Sequence, residues 1–276
     1  MAPASKVHQL CLMYSRCMRS SGHAAPAFVH LAAHPLRWRL LTELAASDYR
    51  VRELVERVGQ PQNLVSYHLR LLRGGGLVTA RRSSFDGRDS YYHLDLERCA
   101  HALADAGTAL HPALGFDPTS SPPSTPPPTR SAVLFACTGN SARSPIAEAL
   151  LRHRTHGQVE VTSAGSHPKP RIHPDAVRVL REHHGIDISS RRPQHLDTLA
   201  DRRFDYVISL CDKVREVCPD FGDRPRLAHW SIPDPAPAGG DEPAGYPAFV
   251  RTAAEIDTRI RYLLPLLART PQEVKP

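Results

Sequence analysis

A short loop, Cys137–Ser144, constrains the fold of this chain more than any other segment. It follows an apolar run, Ala132–Ala136, and it precedes a helical pattern that runs over Ile146–Arg154. This order predicts a strand, a tight loop and a helix N-terminus. Backbone N–H groups in such a loop point inward and the helix dipole adds positive potential, so the loop can hold a tetrahedral oxyanion.

Cys137 and Arg143 give this loop its predicted chemistry. The field at a helix N-terminus favours the thiolate over the thiol, and the thiolate is the nucleophile. Arg143 presents a planar fork of donors that can bind two oxygens together. The spacing of five residues between Cys137 and Arg143 is weak evidence by itself. Three further features make it a poor explanation that this spacing arose by chance. They are the preceding strand, Gly139-Asn140 inside the loop and Ser144-Pro145 at the start of the helix.

Two further cysteines extend the predicted site. Cys211 ends a second apolar run, Tyr206–Leu210, so it should lie at the carboxyl edge of the same sheet as Cys137, where open α/β sheets bind ligands. Cys218 follows a polar segment and precedes a proline, which indicates an exposed thiol. Three thiols that meet in turn make a redox relay, since thiol–disulfide exchange passes through a mixed disulfide. The alternative is that Cys211 and Cys218 are buried small residues without a chemical role.

Asp234 is the candidate general acid. It stands in the segment Trp230–Ala236, directly between two prolines and after a short apolar stretch. A carboxyl group on such a stiff loop can reach over the anion loop and donate a proton. An ordinary Asp-Pro turn explains the same residues, so this motif alone does not decide the role.

Together these residues resemble the low-molecular-weight tyrosine phosphatase fold, and within it the thioredoxin-coupled arsenate reductases. The resemblance covers about Ser131 to Ala268 and implies an α/β domain with a parallel sheet. It also implies that one loop binds the oxyanion. The residues of that loop are Thr138, Gly139, Asn140, Ser141, Ala142 and Arg143.

The resemblance also implies the catalytic roles. Cys137 would attack arsenate, Arg143 would hold the oxyanion, and Asp234 would protonate the departing oxygen. Cys211 would then attack Cys137 and release arsenite. Cys218 would move the disulfide outward, where thioredoxin reduces it.

Other positions refine this expectation. The resemblance gives Ser144 a hydrogen bond to the thiolate and Asn140 a bracing role in the loop. Ala142 stands where many relatives have a second Cys. The absence of a thiol at this position is expected to protect the loop from an unproductive disulfide. Phosphatases of this fold carry aromatic residues after the Asp-Pro pair, whereas residues 236–240 here are Ala-Pro-Ala-Gly-Gly. A small inorganic oxyanion therefore suits the site better than an aryl phosphate.

Some members of the family bind potassium near the loop, although the reductase is expected to require no cofactor. Asn140, Glu148 and Ser163 match three of the ligand positions. The fourth ligand is acidic in those members, and here it is Gln194 or His195. This departure weakens the expectation of a potassium ion.

The first part of the chain shows helical periodicity followed by a hairpin. Short helices are predicted over 27–33, 36–46 and 51–58, and a further helix follows Pro61. Asp86-Gly87 between two short apolar segments predicts a β-hairpin, which would form a wing.

The helix after Pro61 is the candidate recognition helix. Leu64, Val65, Leu69 and Leu72 are expected to face the core, while polar groups suited to reading base edges face outward. Arginines around the hairpin suggest contacts to phosphates. A polar face is often plain solvent surface, but a helix pair followed by a basic hairpin favours DNA binding. The candidate DNA-binding residues are Gln62, Asn63, Ser66, Tyr67, Arg70, Arg81, Arg82 and Arg88.

This stretch, about Pro26 to Leu110, resembles the winged helix-turn-helix repressors of the arsenic-responsive ArsR family. The segment Val65–Leu72 and the Gly-Leu-Val that follows it carry the resemblance. It implies a homodimer formed by the first and last helices, with one recognition helix for each half-site of the operator. One departure is that Tyr49–Arg52 holds no Cys, where arsenic sensors of the family usually carry a pair.

Arsenite is soft and prefers thiolate ligands, so an arsenite site must be sought among the remaining cysteines. These are Cys11, Cys17 and Cys99. In a dimer they would form a three-sulfur site. The alternative is that Cys99 is buried for packing and that the tail with the other two is disordered.

Composition and charge agree with a two-domain chain. Residues 118–129 offer no apolar side chain able to build a core, which predicts a solvated linker. The first 115 residues carry a net charge of +5 and the remainder +2. The predicted organisation is a flexible tail (1–25), an α+β winged helix-turn-helix domain (26–115), a linker (116–130) and the α/β domain (131–270).

The sequence therefore predicts an arsenic-responsive repressor fused to an arsenate reductase, in which the product arsenite is the inducer. The scattered cysteines and the need for reducing partners point to the cytoplasm, and no apolar run is long enough to span a membrane. Three alternatives stay open. The second domain acts as a low-molecular-weight protein tyrosine phosphatase, or it senses oxyanions without catalysis, or it draws electrons from a small thiol.

Overall fold

The protein is described by a computed structural model that covers residues 25–117, 131–217, 225–236 and 245–268. Residues 1–24 of the predicted tail and residues 118–130 of the predicted linker lie outside these residues. Cys11, Cys17 and Cys218 lie outside them as well.

The first half folds as a small α+β domain. Its helices are α1 (Ala27–Ala32), α2 (Pro35–Ala46), α3 (Val51–Val58), α4 (Gln62–Gly74) and α5 (Leu96–Leu110). Its strands are β1 (Tyr49–Arg50), β2 (Val78–Arg82) and β3 (Ser90–Leu94). The strands pair antiparallel in the order β1-β3-β2. Helices α3 and α4 followed by the β2–β3 hairpin confirm the predicted winged helix-turn-helix.

Local signals explain the bounds of these helices. Helix α2 begins at Pro35, which has no N–H to satisfy, and the ring of His34 accepts a hydrogen bond from the next free amide. Helix α3 ends where Gly59 adopts a left-handed φ of 62°. Helix α4 starts after Pro61 and has no side-chain cap.

The core of this domain differs from the prediction at one position. Val65, Leu69 and Leu72 of α4 are fully buried, but Leu64 is 37% exposed. His68 is buried in its place and its ring lies against that of His34. The buried stripe of a helix advances by three or four residues, and Leu64 lies one residue off that stripe.

The second half is an α/β domain. Its strands are β4 (Ala132–Cys137), β5 (Glu160–Gly165), β6 (Tyr206–Ser209) and β7 (Arg226–His229). Its helices are α6 (Arg143–Arg154), α7 (Pro174–His184), α8 (Asp212–Val217) and α9 (Tyr246–Leu267). All strands run parallel in the order β5-β4-β6-β7, which confirms the predicted parallel sheet.

The sheet sets the position of the site. Strand β4 lies between β5 and β6, and the side chains of 133–136 are fully buried. Cys137 pairs with Gly165 at the end of β4, and Ala136 pairs with Ser209 two residues before Cys211. Cys137 and Cys211 therefore lie at the same carboxyl edge of the sheet.

The two halves meet through a buried junction. Asp48 and Arg259 form a bidentate ion pair with both N–O distances at 3.0 Å, and the carboxylate also accepts the amide of Ser231 at 2.7 Å. The Asp48 amide donates to the carbonyl of His229 at 2.8 Å. Burial would raise the pKa of Asp48, but Arg259 outweighs burial and holds the pKa below its usual value.

Among the described residues, no helix has the length and apolarity that crossing a membrane requires.

Candidate active site

The loop after β4 is held from outside by the segment that follows β5. Amides of that segment donate to loop carbonyls, so these carbonyls point outward and leave the interior of the loop to amide groups. The hydrogen bonds are Ser166 to Cys137, His167 to Thr138, Lys169 to Gly139 and His173 to Ser141, at 3.3, 2.9, 2.9 and 2.8 Å.

Gly165 allows this close approach. A Cβ atom at Gly165 would lie 2.6 Å from the carbonyl oxygen of Thr138 and 2.9 Å from the amide nitrogen of Asn140. Real Cβ atoms do not approach backbone atoms so closely, so the loop fits against β5 only because residue 165 has no side chain. Sequence reasoning missed Gly165. Its position at the end of the strand next to β4 was the available signal.

Cys137 and Ser144 lie at the bottom of the loop. Cys137 is 2% exposed and Ser144 is fully buried, and the Cys137 Sγ and Ser144 Oγ atoms are 3.0 Å apart. Asn140 donates to Ser144 Oγ at 2.9 Å, which leaves the hydroxyl proton of Ser144 free to point at the sulfur. The same amide group donates to Ser163 Oγ at 2.9 Å, and Asn140 has a left-handed φ of 43°.

Arg143 is positioned by the segment that carries Asp234. One terminal nitrogen of Arg143 donates to the carbonyl of Ile232 at 2.9 Å, and the other pairs with the Asp234 carboxylate at 3.0 Å. The Arg143 side chain is buried, whereas that of Asp234 is 43% exposed. The predicted acid therefore stands beside the guanidinium at the mouth of the loop.

Cys211 is joined to the loop through Thr138. The Thr138 Oγ1 and Cys211 Sγ atoms are 3.2 Å apart, and Cys211 is 2% exposed. Burial raises the pKa of the Cys211 thiol, and Arg143 opposes this shift. The structure thus brings Cys211 to the loop that holds Cys137. The predicted third thiol, Cys218, lies outside the described residues.

The three residues matched to potassium ligands lie together behind the loop, beside a cleft of about 260 Å³. Glu148 is already paired with Arg152 at 2.8 Å and with Arg191 at 3.3 Å. Ser163 donates its hydroxyl to Glu148 at 2.6 Å. Gln194 uses its side-chain amide to donate to the Ser163 carbonyl. The carboxylate that a cation would need is thus neutralised by two guanidinium groups.

The candidate DNA-binding surface is largely exposed. Gln62, Asn63, Tyr67 and Arg70 are exposed on α4 and Ser66 is half-buried. Arg82 and Arg88 are exposed on the wing.

Arg81 lies elsewhere than the sequence predicts. Its guanidinium pairs with both carboxylate oxygens of Glu255 on α9 at 3.2 Å and donates to the Ser231 carbonyl. Alternate residues of a strand face opposite sides, so Arg81 turns toward the second domain while its neighbour Arg82 faces solvent. In this arrangement Arg81 belongs to the domain junction and not to the DNA-binding surface.

Cys99 is half-buried on α5, and its thiol donates to the carbonyl of Leu77 at 3.9 Å. Burial raises the pKa of this thiol to about 11. The hydrogen bond to the Leu77 carbonyl would have to break before this half-buried thiol could bind arsenite. Among the described residues, no group of three or more His, Cys, Asp or Glu side chains is arranged to hold a metal ion.

Comparison with known proteins gives two family matches. Residues 132–274 match the family described as low molecular weight phosphotyrosine protein phosphatase. Residues 34–80 match the bacterial regulatory proteins of the arsR family.

Individual relatives match the second half of the chain. An arsenate reductase from Shouchella clausii is 36% identical over 131 residues, which cover 47% of this chain and 91% of the relative. The arsenate reductase from Bacillus subtilis is 33% identical over 129 residues, with coverage of 47% and 91%. A solved structure of a thioredoxin-dependent arsenate reductase from Corynebacterium glutamicum is 34% identical and covers 50% of this chain and 62% of that one, with a TM-score of 0.40.

The family match over residues 132–274 spans half of the chain, and the loop geometry agrees with it. The protein therefore belongs to the low molecular weight phosphotyrosine protein phosphatase family, and a segment similar to the bacterial regulatory proteins of the arsR family precedes that domain.

Proposed function

We propose that the second domain reduces arsenate to arsenite and that the first domain binds operator DNA. The observation that carries the enzymatic half is the meeting of Cys137, Arg143 and Cys211 at one loop. A phosphatase of this fold needs the first two residues, but it has no use for a second thiol beside the loop. The arsenate reductases that match this domain support the same substrate.

The first step joins arsenate to the enzyme. Arg143 and the inward amides of the loop bind the oxyanion, and Arg143 exchanges its pairing with Asp234 for this ligand. The sulfur of Cys137 forms a bond to arsenic and one As–O bond breaks. Asp234 protonates the oxygen, which leaves as water. Ser144 stabilises the sulfur as a thiolate by donating its hydroxyl proton.

The second step transfers the electrons. The sulfur of Cys211 attacks that of Cys137, the S–As bond breaks, and its electron pair stays on arsenic. As(V) becomes As(III) and leaves as arsenite, while the two thiols are oxidised to a disulfide. Cys218 then attacks Cys211, which frees Cys137 as a thiolate and leaves a disulfide between Cys211 and Cys218. The dithiol of thioredoxin reduces that disulfide and completes the cycle.

The first domain is proposed to act as a homodimer on the operator. Apolar side chains are exposed on its first and last helices: Val29 is 41% exposed, Leu103 is 47% exposed and Leu110 is 79% exposed. A second copy of the chain would cover these side chains. Arsenite formed by the second domain is proposed as the signal that releases the operator. Because the Cys99 thiol is half-buried and already hydrogen-bonded, we propose Cys11 and Cys17 as the better candidates to bind it.

We propose that arsenate reduction by this domain requires no potassium ion. The Glu148 carboxylate already pairs with Arg152 and Arg191, and it accepts a hydrogen bond from the Ser163 hydroxyl. These contacts supply the positive charge that a bound cation would bring. Arsenate reduction is therefore expected to proceed equally in potassium and sodium chloride of the same ionic strength.

Consumption of reduced thioredoxin is the test of the enzymatic half. Arsenate should drive it in the parent chain, whereas Cys218→Ser should stop after one turnover with a disulfide between Cys137 and Cys211. A chain that hydrolyses a small aryl phosphate but oxidises no thioredoxin would be a phosphatase. Arsenate binding without either reaction would leave an oxyanion sensor, and full turnover of Cys218→Ser with a small thiol would show that the relay ends at Cys211.

A further inference from the structure

The segment Trp230–Ala236, here called the acid loop, is fastened to the first domain through Ser231. The amide of Ser231 donates to the Asp48 carboxylate at 2.7 Å, and its carbonyl accepts a hydrogen bond from the Arg81 guanidinium. The hydroxyl of Ser231 donates to Asp212 at 2.8 Å. Asp48 and Arg81 belong to the first domain, so the backbone of Ser231 is held from outside the domain that carries the site.

Helix α9 fixes the two residues that hold Ser231. The carboxylate of Glu255 accepts both terminal nitrogens of Arg81 at 3.2 Å. Arg259 pairs with Glu255 at 3.5 Å and with both oxygens of Asp48 at 3.0 Å. Charges of opposite sign therefore alternate from Arg81 to Asp48. The two ends of this row bind the carbonyl and the amide of Ser231, and the Asp48 end is deeply buried, so salt screens it little.

Ser231 is the residue before the contact that positions the guanidinium of the site. The carbonyl of Ile232 accepts one terminal nitrogen of Arg143 at 2.9 Å, and the Asp234 carboxylate pairs with the other at 3.0 Å. Both Ser231 and Ile232 are buried. The prolines on either side of Asp234 fix their own φ angles and stiffen the segment. The placement of the Ser231 backbone is thus passed on to Asp234 and Arg143.

We propose that Arg81 and Asp48 are positioning residues of the acid loop, so that the first domain supplies part of the scaffold of the active site. They act through the backbone of Ser231 and not on the oxyanion itself. They hold this backbone where Asp234 and Arg143 meet at the mouth of the loop that follows β4. This inference rests on the proposed function, in which Asp234 is the general acid.

Arg81→Ala tests the proposal in the full-length chain. The Ser231 carbonyl loses its charged donor and the acid loop is held less firmly, so kcat for arsenate reduction should fall about tenfold. Arg81→Lys should recover part of this loss, because it keeps a cationic donor but not the planar fork. Glu97→Gln is the matched control. It breaks another ion pair between the domains, with Arg261 of α9 at 2.5 Å, and should keep the parent kcat.

Combination with Asp234→Asn separates positioning of the acid from a general weakening of the fold. If Arg81 acts through the acid, its removal from a chain that already lacks the acid should lower kcat by less than about twofold. A purely structural effect would lower kcat by the same factor in both backgrounds. Equal losses in the two backgrounds, or an unchanged kcat in Arg81→Ala, would overturn the proposal.

Hydrogen exchange measures the fastening of the acid loop without any reaction. In the absence of an oxyanion, the Ser231 amide should exchange about fivefold faster in Arg81→Ala than in the parent chain, because local opening becomes easier. The amides of β4 should exchange as in the parent, and Glu97→Gln should match the parent throughout. Unchanged exchange of the Ser231 amide in Arg81→Ala would show that Arg81 does not fasten the acid loop.

The two measurements distinguish this proposal from the proposed function. A parent chain that oxidises no thioredoxin with arsenate fails as a reductase, and the exchange rate of the Ser231 amide alone then decides whether Arg81 fastens the acid loop. A parent chain that reduces arsenate, with the same kcat and exchange in Arg81→Ala, keeps the proposed function and loses the positioning role.

Discussion

The hydroxyl oxygen of Ser144 lies 3.0 Å from the sulfur of Cys137, and Asn140 donates to that oxygen from the other side. Since Asn140 donates to the hydroxyl oxygen, the proton of Ser144 is free to point at the sulfur. A hydrogen bond to a charged group contributes about 1.5–3 kcal/mol. Ser144→Ala should therefore lower kcat for arsenate reduction by about 10- to 100-fold.

Single-turnover kinetics, together with the rate at which iodoacetamide alkylates Cys137, measure this effect. Both rates should fall in Ser144→Ala. The exposed Ser189→Ala in the same domain serves as the control and should behave as the parent. Unchanged alkylation in Ser144→Ala would show that the hydroxyl does not stabilise the thiolate.

Asp234→Asn separates acid catalysis from binding. The amide cannot give a proton to the departing oxygen, so kcat should fall about 100-fold. KM for arsenate should stay the same or fall, because Arg143 loses the ion pair that competes with the oxyanion. Steady-state kinetics measure both parameters. Asp201→Asn, an exposed carboxylate before the start of β6, should match the parent. A rise in KM with unchanged kcat would assign Asp234 a binding role instead.

Gly165→Ala should damage the oxyanion loop without touching a catalytic side chain. The new methyl group would meet the Thr138 carbonyl and the Asn140 amide, which are backbone atoms that cannot rotate away. We expect the affinity for phosphate, measured as an inhibitor of arsenate reduction, to fall at least tenfold. Gly74→Ala, where an added Cβ meets nothing within 4 Å, is the matched control. Equal inhibition of both variants would mean that the loop tolerates the methyl group.

Cys99 should be nearly inert in the folded chain. Its thiol has a pKa of about 11 against an ordinary value of 9.0. At pH 8 the thiolate fraction, and hence the alkylation rate, should be about 100-fold below that of the unfolded chain. Because folding retains the proton, the contribution of Cys99 to stability is full below pH 9 and is lost as the pH rises toward 11.

A time course of alkylation by mass spectrometry, in native buffer and in denaturant, checks this expectation. In addition, Cys99→Ser should leave the effect of arsenite on operator binding unchanged. Loss of that effect in Cys99→Ser would show that Cys99 is an arsenite ligand.

Much of the fold follows from local signals in the sequence. The spacing of apolar residues predicts helix α4, and a turn dipeptide predicts the wing. The apolar strand that ends in Cys137 predicts the oxyanion loop. Such signals depend on residues close together in the chain, so they can be recognised in the sequence without a structure. Leu64 shows the limit, since a change of one residue on a helix turns a side chain from core to solvent.

The domain junction was not predictable in this way. Arg81 resembles the other arginines of the wing, and only the docking of α9 gives it Glu255 as a partner. In the sequence, Asp212 is an ordinary polar residue after Cys211. Its role in the junction depends on its hydrogen bonds to Ser84, a residue of the other domain. Contacts between distant segments arise from how whole surfaces fit, and a single sequence carries no local pattern for them.

The buried pair of Asp48 and Arg259 makes the two halves of the chain poor candidates for separation. A reductase fragment that begins after residue 130 would keep Arg259 but lose its carboxylate, and a winged fragment would keep Asp48 without its guanidinium. Each fragment would expose a charged group that is paired with the other half in the full-length chain. We therefore expect each half to be less stable as a separate fragment than within the full-length chain.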